Sequence, residues 1–215
     1  MTSVQFHNWL PIVLQGLGTT AAASVIAICT AIIWGCIVAM LIAYNNKVLS
    51  GILRVYVSIF RNSPLLVQLF FIFYGLPFLG LTMPATVCGI LGITLNEGAF
   101  VAEILRGSIK NIPKGEIEAA ESLGLSRGQI IRHIIFPLSI RTSVPMLTGQ
   151  ASIIIKDTSL FSMIMVVELT RAANVFYAKY YSTTSFYIVA VLYIALFLIA
   201  TVIGRRIEKR SKIVR

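Results

Sequence analysis

Eight acidic and eighteen basic residues are all the fixed charge in a chain of 215 residues, so any of them inside an apolar stretch is a candidate for chemistry. Glu97 lies near the middle of one such stretch, with no basic residue within a helical turn. Lys156 and Asp157 lie near the middle of another. A charge at mid-bilayer costs about 2.5–3.5 kcal/mol on insertion scales, so each needs a partner or a wet cavity. Neighbouring helical residues point about 100° apart, so Lys156 and Asp157 do not pair with each other on a regular helix. A zwitterionic ligand needs an anion for its cationic end and a cation for its anionic end. Glu97, Lys156 and Asp157 supply both, with Asn96, Thr158 and Ser159 as hydrogen-bonding neighbours. An interhelical Glu97–Lys156 bridge without a ligand accounts for the same residues, and the sequence leaves the two open.

Other ionisable residues point to structure. Glu103 and Arg106 are three apart on one helical face, with Lys110 a turn further; Glu168 and Arg171 share that spacing. Both are expected to be structural pairs or gates. Cys29, Cys36 and Cys88 all sit in apolar stretches, an odd count that gives no disulfide framework and suits small apolar fillers. His7 and His133 lie in different regions, so no metal site is expected. Gly16-Leu17-Gly18-Thr19-Thr20-Ala21 fits G-x-G-x-x-A, but no strand precedes it and no acid follows at the ribose spacing, so a small-residue packing face is expected. No G-x-x-x-x-G-K-[ST] loop and no convincing nucleophile–base set is present, which argues against nucleotide binding in a P-loop and against an intramembrane enzyme.

The elements that must position these residues are helices in a membrane. Hydrophobic residues make up 57% of the chain and charged residues 12%, about half the fraction of soluble domains. Mean hydropathy is +0.87. With roughly 20 apolar residues per span, the pattern predicts an all-α integral membrane protein of about five transmembrane helices, a single domain over residues 1–215. The helices are expected near 14–44, 52–75, 85–109, 144–168 (interrupted at Lys156–Asp157) and 186–204. Asn45–Lys47 is expected as a short inside turn, residues 75–84 and 171–185 as outside loops, and about 110–141 as a polar inside loop. The net charge of +10 does not imply a nucleic acid, because the bases cluster. Lys47, Arg54 and Arg61 form one batch, six residues from Arg106 to Arg141 a second, and six from Arg205 to Arg215 a third. Alternating spans put all three on one side, which is the positive-inside pattern. The uncharged start lacks the basic region of a signal peptide, which predicts no cleavage and an N-terminus outside, with the C-terminus cytoplasmic.

The inside loop has its own pattern. Pro113 with Glu116, Glu118 and Glu121 favours a helix start, Gly124 stops that helix, and Ser126 with Gln129 makes a capping box for a second, which Pro137 ends. Ala119, Ala120 and Gly124 leave the bend almost bare of side chains, suited either to another protein's groove or to a simple tie between spans.

The stretch EAA at 118–120, Gly124, and then Ile134-Ile135-Phe136-Pro137 resembles the EAA loop of ATP-binding-cassette importer permeases, with Phe136 where that family usually has Leu. FRNSPLLVQLF at 60–70, AEILRG at 102–107, KDTSL at 156–160 and ELTRA at 168–172 are similar to the polar amino-acid uptake branch. The resemblance implies a permease subunit in a bacterial inner membrane. Its loop, through Glu118, Ala119, Ala120, Gly124 and Ser126, would dock on a cytoplasmic ATP-binding subunit dimer. A second permease chain, identical or homologous, and an extracytoplasmic amino-acid-binding protein complete the implied partners. ATP and Mg would sit on the ATPase, with no cofactor in this chain. The rival from another class is an ion channel or secondary transporter using Glu97, Lys156 and Asp157, which has no need of a long ordered inside loop.

Overall fold

The computed structural model describes residues 3–44 and 47–211. The expected turn at Asn45 and Asn46 and the tail bases Lys212 and Arg215 lie outside the described residues. Nine α-helices follow one another with no strand among the described residues: α1 (Ser3–Ala43), α2 (Lys47–Asn62), α3 (Leu65–Phe70), α4 (Ala85–Lys110), α5 (Lys114–Ser122), α6 (Arg127–Ile130), α7 (Phe136–Asp157), α8 (Leu169–Tyr180) and α9 (Thr184–Ser211). Of these, α1, α4 and α9 are long and apolar enough to cross a membrane. A fourth span exists if α2 and the helical stretch Leu65–Leu79 count together, although they are bent by 108°. α7 has 22 residues but carries Arg141, Gln150 and Lys156 and is not apolar enough to join them.

Five expectations change. The first helix, expected from about residue 14, already begins at Ser3 and carries Pro11 inside it. The second helix, predicted unbroken over 52–75, breaks at Ser63–Pro64 because proline brings no N–H and its ring crowds the preceding turn. Pro137 does not end a helix. Residues Ile131–Ile135 form a π turn in which the Phe136 N–H donates to the Ile131 carbonyl, and the widened turn absorbs the proline so that α6 runs on into α7. Phe71–Gly75 does the same before Pro77, with the Leu76 N–H on the Phe71 carbonyl. The predicted fourth helix ends at Asp157 and gives way to a 3-10 segment, Thr158–Ile164. Finally, the predicted outside loop 171–185 is mostly α8, whose buried Leu169, Ala172, Ala173 and Phe176 follow helical periodicity.

The chain divides into two compact units, one holding the residues up to Cys29, Leu65–Ile93 and Ala151–Val202, the other Thr30–Pro64, Thr94–Gln150 and the residues from Ile203. In the first, Trp9 and Val13 pack on Leu169, Ala172, Ala173, Phe176 and Val189. The Trp9 indole donates to the Ala172 carbonyl at 2.8 Å. Gly16 lets α1 reach the backbone of Glu168, where a Cβ would come within 2.9 Å, while Gly18 faces open space. Only one of the two glycines therefore packs. In the second unit Val38, Ala39, Val57, Ala99, Val101, Ala102, Leu105 and Leu147 form the core.

α1 and α4 touch there through glycine. A Cβ on Gly35 would lie 2.5 Å from Val101 Cβ and 2.7 Å from the Gly98 carbonyl oxygen. Such close approach is how helices gain packing energy where lipid removes the hydrophobic drive between them. Gly35→Leu is expected to destabilise the folded protein by about 1–3 kcal/mol through overpacking. Gly107→Ala, in α4 with open space around it, should be neutral or slightly stabilising. Thermal unfolding midpoints in detergent compare the two, and equal midpoints would contradict this contact.

Candidate functional site

The loop between α4 and α7 is built from backbone rules. Pro113 precedes α5 in an extended conformation, and Glu116 sits in the first turn where carboxylates suit the helix dipole. The helix ends in a Schellman motif: Gly124 is left-handed at φ +75°, its N–H donates to the Glu121 carbonyl at 2.9 Å, and the Leu125 N–H donates to the Ala120 carbonyl at 3.2 Å. Nothing lies within 4 Å of a Cβ built on Gly124, so conformation rather than space requires glycine there. Gln129 Oε1 accepts from the Ser126 backbone N–H at 2.8 Å and from its hydroxyl at 2.9 Å, which fixes the start of α6.

What the loop presents differs from the bare bend expected. Ala120 is buried in this chain's own fold at 2% exposure and cannot face another protein. Glu118, Ala119, Gly124 and Ser126 are exposed. Beside them Leu123 stands 80% exposed. Leu123 was not singled out in the sequence; a leucine at the C-cap of a polar helix is the signal that would have found it.

The six candidate ligand residues divide between the two units. In one, Glu97 is 3% exposed and accepts a hydrogen bond from the Gln150 amide. Gln150 is a partner sequence reasoning missed, although it is the one long polar side chain in the charge-free run 142–155. Asn96 donates to the Phe60 carbonyl at 2.8 Å. That carbonyl is the one whose α-helical partner would be the N–H of residue 64, which proline lacks. Asn96 therefore caps the broken end of α2. The Asn62 amide and Ser63 hydroxyl similarly donate to the Ser58 and Ile59 carbonyls at 2.7 and 2.8 Å.

In the other unit, Lys156 is exposed, with its ammonium 5.5 Å from the centre of the Phe197 ring. Asp157 is half-buried at the last position of α7. The buried Thr158 hydroxyl donates to the Ile155 carbonyl at 2.7 Å, and the Ser159 carbonyl accepts from Ser162 at 2.8 Å. Those groups close the end of a helix.

The two spaced acid–base pairs behave differently. Glu103 takes both Nε (2.7 Å) and Nη2 of Arg106 in a two-pronged pair, with Arg61 at 3.6 Å as a second cation. Glu168 does not bind the Arg171 guanidinium. It is the N-cap of α8, fully buried, accepting the backbone N–H groups of Thr170 (2.8 Å) and Arg171 (2.6 Å) and the Tyr193 hydroxyl (2.6 Å). The Arg171 guanidinium reaches Met165 Sδ at 3.7 Å instead. A capping carboxylate satisfies two orphan donors at once, and that wins over an exposed ion pair.

Known proteins resemble this arrangement along almost its whole length. The glutamine transport system permease protein of Escherichia coli K12 is 35% identical over 207 residues, covering 95% of this chain and 94% of its own. A probable amino-acid ABC transporter permease protein of Bacillus subtilis is 34% identical over 93% of this chain and 89% of its own. Among solved structures, an amino acid ABC transporter crystallised with histidines superposes with a TM-score of 0.87 at 27% identity, covering 98% of this chain and 99% of that one. The MetNI methionine ABC transporter, inward facing, has the same fold, with a TM-score of 0.82 at 21% identity over 99% of this chain and 100% of that one. Residues 27–213 match the family model of the binding-protein-dependent transport system inner membrane component, and this chain belongs to that family of multi-pass inner-membrane permease subunits of ATP-binding-cassette importers.

Proposed function

We propose that this chain forms the translocation pathway of an amino-acid importer and catalyses no covalent step itself. The observation that carries the coupling part is the α5–α6 loop: a glycine-dependent bend holds exposed Leu123 outward, and α6 runs without interruption into α7. A cytoplasmic ATP-binding subunit dimer, holding ATP and Mg, docks on Glu118, Ala119, Leu123, Gly124 and Ser126 and hydrolyses the nucleotide. A second permease chain, identical or homologous, completes the pathway, and an extracytoplasmic protein delivers the amino acid. The amino-acid substrate is supported by the names of the glutamine and amino-acid permeases to which the chain is similar. Glu97, Lys156 and Asp157 are the charges offered to a zwitterion. The N-terminus lies outside and the C-terminus in the cytoplasm, with Glu103–Arg106 acting as a structural or gating pair.

Three measurements test these assignments. In intact cells a single cysteine at Lys114 should be shielded from impermeant thiol reagent, while cysteines at Thr82 and Ser182 should label; the reverse pattern would invert the orientation.

For the loop, Gly124→Asn should retain uptake, because Asn tolerates a left-handed backbone, whereas Gly124→Val meets a cost of about 1–2 kcal/mol in that conformation. Leu123→Asp, which leaves the backbone alone, should keep the subunit in the membrane yet release the ATPase on purification. An ATPase retained by both Gly124→Val and Leu123→Asp would remove the loop from docking.

For the charges, Glu97→Gln keeps an acceptor for Gln150 and removes only the charge. Uptake per inserted molecule should fall about tenfold or more, the scale of one charge-assisted hydrogen bond. Lys156→Met should fall similarly. If the pair is only a bridge, the double variant should recover transport, because removing both charges strands neither. Recovery would exclude these two residues from substrate binding.

A further inference from the structure

Within one unit, a cavity of about 360 Å³ opens among α1, α2 and α4. Its polar lining is Arg54, Ser58, Arg61, Asn62, Glu103, Arg106 and Lys110, and its apolar lining is Ile42, Val57 and Ala102. Four cations thus face one carboxylate, and that carboxylate is already held by Arg106 on two nitrogens and by Arg61 at 3.6 Å. Arg54 and Lys110 are exposed at the rim. The excess of positive charge calls for an anion.

We propose that this cavity binds the phosphodiester headgroup of an anionic phospholipid, with the acyl chains lying along α2. Three observations choose this ligand. First, Glu103 to Lys110 spans seven residues, about 10 Å of helix, comparable with the roughly 5–8 Å of headgroup layer on each side of the hydrocarbon core. The cationic lining therefore has the depth of a headgroup.

Second, α2 is built as an interfacial helix. Lys47, Arg54 and Arg61 recur every seven residues and so share one face, since seven residues nearly complete two turns. Val48, Ile52, Val55 and Ile59, all exposed, form an apolar stripe beside that face. A basic face next to an apolar one is the pattern of helices that bind anionic membrane surfaces, and basic pockets between membrane helices take anionic headgroups.

Third, the alternatives leave groups unmatched. A free amino acid brings an ammonium, and the only carboxylate that would receive it is neutralised by two arginines. Inorganic phosphate fits the cations but gains nothing from Ile42, Val57, Ala102 or the stripe on α2.

The test uses the full chain in its purified assembly, delipidated in detergent. It is titrated with phosphatidylglycerol, with phosphatidylcholine of the same chains, and with inorganic phosphate, and bound lipid is read by native mass spectrometry alongside the unfolding midpoint. Phosphatidylglycerol should bind saturably and raise the midpoint, whereas phosphatidylcholine should not. Arg54→Gln with Lys110→Gln should weaken phosphatidylglycerol binding about thirtyfold, at about fivefold for each basic residue removed near the membrane surface. Arg54→Lys with Lys110→Arg should preserve it. If the double neutral variant does not fold, Lys110→Gln by itself should lower the affinity about fivefold. Equal response to the two lipids, or unchanged binding in the neutral variants, would overturn the proposal. A midpoint rise with inorganic phosphate as large as with phosphatidylglycerol would reassign the cavity to a soluble anion and overturn it as well.

Discussion

In hydrocarbon there is no water to receive an unpaired backbone N–H or carbonyl, and each such group costs several kcal/mol. Most of this structure answers that constraint. At several interruptions of the helical ladder a nearby polar side chain bonds the freed backbone groups, and at others a widened or left-handed turn does so with backbone alone. At the α2 break Pro64 supplies no N–H, and the Phe60 carbonyl receives the Asn96 amide instead. Asn62 and Ser63 turn back onto the carbonyls of Ser58 and Ile59. Beyond α7, Thr158 and Ser162 do the same for Ile155 and Ser159. At the start of α8, Glu168 closes two backbone N–H groups that no helical carbonyl could reach.

The same accounting separates what the sequence discloses from what it hides. Hydropathy and charge clustering are long-range averages, so the helical membrane class and the long apolar helices α1, α4 and α9 were legible. The loop was legible for a local reason: Pro113, Gly124 and the Ser126–Gln129 pair each have one favoured backbone use. The break at Pro64 and the helix α8 were harder. A proline inside an apolar run is compatible with a kink, a π turn or a full break, and this chain shows a π turn before Pro77 and Pro137 but a break at Pro64. Composition does not choose among them, because the choice depends on whether a distant side chain such as Asn96 is available to the freed carbonyl.

Polar residues in apolar runs were harder still. Asn96, Thr158 and Glu168 carry the donor and acceptor types a ligand needs, and the same types that a helix terminus needs. Sequence spacing cannot distinguish the two uses, since both place a short polar side chain beside a helix end. Geometry can. Asn96 and Thr158 face backbone carbonyls, Glu168 faces backbone N–H groups and Tyr193, and Glu97 faces a side-chain amide, Gln150, rather than a helix end. Ala120 shows the converse: its small size suggested an open groove contact, yet small residues also fill tight interior positions, and it is buried.

Glu97 and the α5–α6 loop are then linked by one mechanical element. From Arg127, just after the Ser126 cap, through α6 and the π turn at Ile131–Ile135, to Gln150 in α7, the backbone is helical without a gap, about 35 Å of rod at the α-helical rise. Gln150 is the partner of the buried Glu97, and Ser126 is the cap beside the Gly124 bend. A rod of this kind transmits rotation and translation with little loss, because each turn is held by its own hydrogen bonds. It has two soft points, the π turn before Pro137, where the helix widens, and Pro145 inside α7, and each proline removes a bond. A displacement of the loop relative to α4 would therefore reach the Glu97–Gln150 bond either as a shift of the whole rod or as a change at one of those two points. Both would strain the Glu97–Gln150 hydrogen bond in a water-poor interior, where an unpaired carboxylate is expensive. A coupling of loop to buried charge along this path would need no additional moving part.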